Sequence, residues 1–407
     1  MSGPRDTAER LRLMAGPPPF ATERLATLAN WQEPPFNRWS FQHVRDLIPT
    51  ARISRGDGPA RSLPRDERDL TGVSFEVGGR TWDVERLLDQ TYTDGFLVLH
   101  RGRVVTERYL NGMTPDTTHL LMSVSKSVTS TVAGVLTGRG DLDPAAPVTE
   151  VIPELAGTSF AGATVQHLLD MRTGTKFDET YENLDADVRV YEQVYLWRPR
   201  QGKRLPEDAI AYFPTLRNDG EHGGPFRYRS ILTDVLGWVV ERAGGARLHE
   251  LISRELWQPM GAEFDAEVTV DAHGNAMADG GVCATLRDLA RFGQVILRAA
   301  EGRRGIVPPA WIADTIRGAP DGPSAFTLGD NSPGYPKGAH YRNCWWVRYP
   351  SIPFFNASGI NGQSVYVHVP TQTVVAKFST WPTPLSARFS RLTVAAVEAI
   401  AGALDAG

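Results

Sequence analysis

The chain has 407 residues, 41% hydrophobic and 22% charged, with a net charge of −4. That suits a globular protein long enough for an α/β core carrying a second lobe, and the negative balance offers no general pull on nucleic acid or an anionic membrane. Two cysteines, Cys283 and Cys344, are too few and too far apart for a disulfide framework or a zinc site, so two buried thiols are expected.

The opening stretch "MSGPRDTAERLRLMAGPPPF" mixes Asp6 and Glu9 into its start and breaks at Pro17-Pro18-Pro19. It reads as neither a signal peptide nor a membrane span, and a cytoplasmic location is expected. Residues 1–60 are Pro-rich, and Trp31, Phe36, Trp39 and Phe41 suggest an extension that wraps an outer surface. The charged run "RSLPRDERDL" at 61–70 predicts a loop. "VSFEVGG", "GFLVLHRGRVVTERYL" and "SVYVHVPTQTVVAKFSTW" predict strands, the second turning at Arg101-Gly102 and the third at Pro370-Thr371. Between them, Val128, Val132, Val135 and Leu136 repeat at helical spacing, as do Val235, Trp238, Val239 and Arg242. "TGRGDLD" at 137–143 reads as a helix end, with Gly138 or Gly140 in the left-handed region. The Gly/Pro-rich stretch 318–339 is either a lid or a solvated excursion. The predicted architecture is α/β (α+β): an antiparallel sheet flanked by helices, with an inserted helical lobe. Its expected divisions are an extension at 1–60, an α/β domain from 61–145 and 262–407, and a helical lobe at 146–261.

Chemistry concentrates in "HLLMSVSKSVTSTVAG", residues 119–134. The chain has five lysines, and Lys126 alone follows a serine by three positions, making Ser123/Lys126 the single S-x-x-K. On a helix such residues share a face with Cβ atoms ~5–6 Å apart, the geometry of a nucleophile beside its base. The helix start adds free N–H groups and a positive dipole end for an oxyanion. The bland alternative makes Ser123, Ser125 and Ser127 caps beside a solvated Lys126. A free lysine, with a pKa of about 10.4, must also be pushed down to near neutrality to act as an amine at pH 7.

Other chemistries find little support. There is no G-x-S-x-G, no H-E-x-x-H among the nine histidines, and no phosphate-binding glycine motif. No cofactor or metal is implied.

Company for Ser123 and Lys126 comes from "TVQHLLDMRTG", "FDETY", "FRYRSILTDVLGWVVER", "GGVCATLRDLARFG", "SGINGQ" and "STWP". With "SVSKS", these resemble the serine β-lactamase and penicillin-binding-protein superfamily, class C-like, and within it the 6-aminohexanoate-dimer (nylon-oligomer) hydrolases, from about residue 95 onward. The resemblance implies a β-lactamase-like fold and a serine hydrolase of small linear amides or esters. It makes Ser123 the acylated nucleophile, Lys126 its proton acceptor, Tyr228 the catalytic tyrosine and Tyr181 a second tyrosine that closes over the substrate and helps protonate the leaving amine. Tyr191 and Tyr195 are alternatives to Tyr181. The N–H groups of Ser123 and Ile360 would form the oxyanion hole, with Ser230, Gly359 and Asn361 beside the substrate. Tyr228 and Lys126 would titrate as one pair.

Two positions depart from the penicillin-binding pattern. Ser358-Gly359-Ile360 carries no cation for a penicillin carboxylate, and Tyr228-Arg229-Ser230 lacks the usual Asn. A carboxylesterase or weak β-lactamase is therefore the alternative, and a non-catalytic peptide-binding protein is the reading from a different class. An acidic rim of Glu182, Asp185, Asp187, Glu192 and Asp279 predicts that amide substrates with a free amine are favoured. By position in the resemblance, Glu192 is the first choice to hold that amine and Asp279 the second. The expected partner is a small molecule, with no nucleic acid or membrane; a homodimer is allowed.

Overall fold

The computed structural model describes residues 3–201, 205–329 and 334–406. Its main sheet has seven antiparallel strands: β1 (Thr93–His100), β2 (Arg103–Tyr109), β3 (His340–Arg342), β4 (Trp345–Tyr349), β5 (Phe354–Gly359), β6 (Gln363–His368) and β7 (Thr373–Ser379). The spatial order β2-β1-β7-β6-β5-β4-β3 joins an early hairpin to the end of the chain. The β1–β2 turn falls at Arg101-Gly102, both with positive φ (49° and 77°), as a two-residue hairpin requires. A second sheet aligns Thr50–Ile53, Ala266–Thr269, Val282–Ala284 and His119–Leu120, and a third is the hairpin of Ser74–Val77 with Arg80–Asp83.

Five helices matter to the site: α1 (Val124–Arg139), α2 (Asp187–Val194), α3 (Ile231–Gly244), α4 (Leu286–Ala300) and α5 (Ala387–Ala406). Every residue of β1 is buried, because helices cover both faces of the sheet. Leu97 and Leu99 share a core with Leu289, Phe292 and Ile296 of α4, while Phe96 and Val98 pack with Val397, Ile400 and Leu404 of α5. Gly293 lets α4 lie close on the sheet, since a Cβ there would meet Val374 at 2.5 Å and Val365 at 2.8 Å. Val128, Val132 and Leu136 of α1 are fully buried, and the helix ends at Gly140 with φ 86°.

Two of the four N-terminal aromatics sit deeper than a surface wrap would place them, while Phe36 and Trp39 are half-buried. Trp31 and Phe41 are 1% and 0% exposed in the main core, and Trp31 Nε1 donates to the Trp197 carbonyl at 2.7 Å. Thr50–Ile53 pairs with Ala266–Thr269 as an edge strand. The 318–339 stretch, apart from residues 330–333 outside the described set, holds the helix Gly322–Thr327 and stacks Tyr335 on Trp346 at 5.5 Å. Cys283 and Cys344 are buried free thiols. Among the described residues no helix is long and apolar enough to cross a membrane.

Candidate active site

Met122 adopts φ 47°, a left-handed conformation that costs a non-glycine residue energy and turns the chain sharply into α1. Ser123 follows as the residue before the helix, and its side chain caps nothing. Its Oγ accepts a hydrogen bond from Lys126 Nζ at 3.0 Å. The neighbouring serines have other work: Ser125 Oγ accepts from Val282 N at 3.1 Å, and Ser127 Oγ donates to the Cys344 carbonyl at 2.7 Å.

Lys126, only 1% exposed, also donates to Ser230 Oγ at 3.0 Å and to the Asp279 carbonyl at 2.9 Å, with Asp279 Oδ2 at 3.3 Å. Beneath it, Asp279 N donates to Asp234 Oδ1 at 3.0 Å. Burial works against the lysine charge, but Tyr228, Asp279, Glu179 and Asp234 outweigh it and hold Lys126 above its usual value. This corrects the expected fall toward neutrality: the pull of the acidic groups around the buried ammonium outweighs the cost of burying it. Burial and then the Asp279 charge push Asp234 well up, toward its neutral acid.

The Tyr228 ring lies 5.2 Å from Lys126 Nζ. Burial raises its phenol, while the Lys126 charge and the Ser123 hydroxyl pull the other way. Tyr181 faces the same space, its hydroxyl donating to Glu179 Oε1 at 2.6 Å. The two alternatives are core residues: Tyr195 is 1% exposed with its hydroxyl on the Ala276 carbonyl, and Tyr191, also 1% exposed, packs among Phe177, Tyr212 and Phe213. Glu179 is a site residue that sequence reasoning passed over, although it stands inside the quoted "FDETY". Its Oε2 accepts from Ser230 N at 2.9 Å, its Oε1 takes the Ser230 hydroxyl, and burial raises its carboxyl despite Lys126. Ser230 thus links Lys126 to Glu179.

From the other side, β5 ends against the start of α1. A Cβ on Gly359 would lie 2.9 Å from Ser123 N and 2.7 Å from the Leu121 carbonyl, so only glycine lets the strand come this close. Ile360, next in the chain, lines the cavity with Ser123. Asn361 is a correction. It is 4% exposed, at φ 57°, with Nδ2 donating to the Trp381 carbonyl at 2.8 Å, so it fastens the loop rather than facing substrate.

The first carboxylate expected to hold a substrate amine is occupied by the protein itself. Glu192 is 3% exposed, accepts from Arg189 at 2.8 and 3.0 Å and from Arg198 at 2.5 Å, and so sits between two guanidinium groups. Asp279, the second choice, faces Lys126 with Oδ2, while its Oδ1 is buried without a partner. Of the remaining rim, Glu182 and Asp185 are exposed, and Asp187 accepts from the Asp178 backbone at 2.8 Å. The cavity above Ser123 measures about 580 Å³ and is walled by Tyr181, Tyr228, Tyr335, Trp346, Ile360 and Trp381. Among the described residues no group of His, Cys, Asp and Glu is placed to hold a metal ion.

Residues 84–399 match the family model described as Beta-lactamase. The chain belongs to that family. Within the Beta-lactamase family it is 38% identical to the 6-aminohexanoate-dimer hydrolase of Paenarthrobacter ureafaciens, over 95% of this chain and 96% of that one. It is 30% identical to the esterase EstB of Burkholderia gladioli over 37% of this chain and 38% of that one. Among solved structures, a candidate 6-aminohexanoate-dimer hydrolase from Bacillus anthracis superposes with a TM-score of 0.85 at 26% identity, covering 95% of this chain and 99% of the other. The chain is therefore an enzyme, a hydrolase of amide or ester bonds on the β-lactamase fold.

Proposed function

We propose that the protein cleaves small linear amides, in the manner of a 6-aminohexanoate-dimer hydrolase, through an acyl-enzyme on Ser123. The observation that carries this is the 3.0 Å Lys126–Ser123 hydrogen bond at the floor of a cavity that Tyr228 and Tyr181 also line. Ser123 Oγ attacks the carbonyl carbon and gives its proton to the Lys126–Tyr228 pair. The oxyanion rests on the N–H groups of Ser123 and Ile360. The C–N bond then breaks as the pair returns the proton to the leaving nitrogen, with Tyr181 closing that side. In the second half, water attacks the acyl carbon, its proton passes to the same pair, and Ser123 Oγ recovers it as the acid departs.

Because Lys126 and Tyr228 both lie above their usual values, the acylating state is the pair short of one proton, and it becomes more populated as pH rises. An esterase is the second reading, favoured by the partial match to EstB. The same reading keeps the α/β domain at 61–145 and 262–407, the lobe at 146–261 and the extension at 1–60, anchored by Trp31 and Phe41.

The test is intact-protein mass after incubation with short ω-amino amides, esters and penicillins. An acyl mass from the amides, absent in Ser123→Ala, is expected. Acylation of Ser123→Ala, or none in wild type with these substrates or a fluorophosphonate probe, overturns the proposal in favour of a binding protein.

A further inference from the structure

Three arginines, Arg227, Arg229 and Arg348, line the cavity that holds Ser123. Arg227 and Arg229 share Asp219 at 3.6 and 3.3 Å. Arg348 forms no ion pair with any described carboxylate. Glu398 on α5 feels its charge, yet that carboxyl is raised by burial and bonded to Tyr349. The Arg348 guanidinium lies 4.7 Å over the Tyr335 ring, and its Nε is buried with no hydrogen-bond partner. A buried donor without an acceptor is costly unless something else completes it.

Its backbone position is also unusual. Along β4 and β5, Val347 pairs with Phe355 and Tyr349 with Phe354, so Arg348 is the extra residue of a β-bulge with no partner across the ladder. Bulges of this kind re-aim a side chain out of the regular alternation. On the neighbouring strand, Asn356 Nδ2 holds Ser358 Oγ at 2.7 Å and its Oδ1 is buried without a partner. A half-turn of that amide would let Ser358 donate to Oδ1 and present the NH2 to the cavity.

An aromatic wall leads from the reacting centre to this arginine. The Tyr228 ring stacks on Trp346 at 5.5 Å, Trp346 on Tyr335 at 5.5 Å, and Tyr335 carries Arg348. The nitrogen that departs must be near Tyr228 to receive its proton, so the leaving half of a substrate runs along this wall. An alkyl chain lying on the rings ends at a guanidinium that no described carboxylate pairs.

We propose that Arg348, the bulged residue of β4, binds a carboxylate at the far end of the substrate's leaving group, so that the preferred substrates are amides of ω-amino acids with that acid free. The inference rests on the amide-hydrolase reading and adds the substrate feature it selects. A guanidinium fork suits a carboxylate in a two-point contact, and Lys supplies the charge without the fork.

The experiment compares kcat/KM for N-(6-aminohexanoyl)-6-aminohexanoate with that for its terminal carboxamide. Wild type should favour the acid by about 10- to 100-fold, mainly through KM. In Arg348→Gln the ratio should fall to about one, and Arg348→Lys should keep a part of it. Binding of 6-aminohexanoate and its carboxamide to Ser123→Ala, followed by calorimetry, gives a readout that needs no turnover. Equal treatment of acid and amide by wild type, or an unchanged ratio in Arg348→Gln, overturns the inference and leaves the hydrolase reading intact. If no substrate acylates Ser123 but Ser123→Ala still prefers the acid, the carboxylate site stands and the hydrolase reading falls.

Discussion

Two cations stand at the same cavity in opposite circumstances, Lys126 buried beneath Ser123 and Arg348 half-buried in the wall. Lys126 is ringed by Asp279, Glu179 and Asp234 and donates to four oxygens. Among the described residues Arg348 has no carboxylate partner, and its Nε is buried without a hydrogen bond. The first is held in place by the protein itself, as a group that must pass protons to and from one hydroxyl requires. The second is left unpaired, as suits a group that takes its partner from outside. Glu192 is the inverse of Arg348: a carboxylate so well supplied with cations that nothing remains for a ligand.

The largest effects should come from breaking the Lys126 side. Tyr228→Phe and Lys126→Ala should each lower kcat/KM by about 10²- to 10⁴-fold, and because the two act as one unit the double variant should lose far less than the product. Fully multiplicative losses in steady-state kinetics would separate their roles.

Asp279→Asn sharpens the same comparison by taking one negative neighbour from Lys126. Removing that charge lowers the pKa of the lysine. The alkaline rise in acylation rate, which in wild type should climb with pH above neutrality, should therefore begin at lower pH in the variant. A pH profile of kcat/KM that does not move would show that Asp279 leaves the proton pair untouched.

The smallest effect on activity belongs to Glu192→Gln. Losing one partner of a buried ion pair costs about 3 kcal/mol or more, so thermal melting should fall while the ratio of rates for free-amine and N-acetylated amides stays as in wild type. A selective rise in KM for the amine substrate would restore Glu192 as its binding residue.

Much of the fold was legible in period and punctuation. The β1–β2 hairpin, α1 and its Gly140 end follow from alternation, helical spacing and one left-handed glycine. At the site, Ser123, Lys126 and Tyr228 could be picked out because a spacing of three and a resemblance both point to them. Glu179 could not, since a residue two places from a loop tyrosine shares no regular face with it. The pairing of Glu192 was available and overlooked: Arg189 stands three residues earlier on a short helix, a spacing that brings side chains together. Arg348 was out of reach, because a bulge depends on the register between two strands, and register is a property of the assembled sheet. The depth of Trp31 and Phe41 depends likewise on Trp197 and on elements far along the chain.

The order of the main sheet has a consequence for biosynthesis. β1 emerges from the ribosome within the first quarter of the chain, but its neighbour β7 belongs to the last tenth. Until β7 arrives, one side of a strand that ends up wholly buried presents unpaired backbone groups, the pattern that invites pairing with other chains. The nascent protein must wait, held open, for almost its full length to be made, and fragments that stop short of Thr373 are expected to aggregate rather than fold.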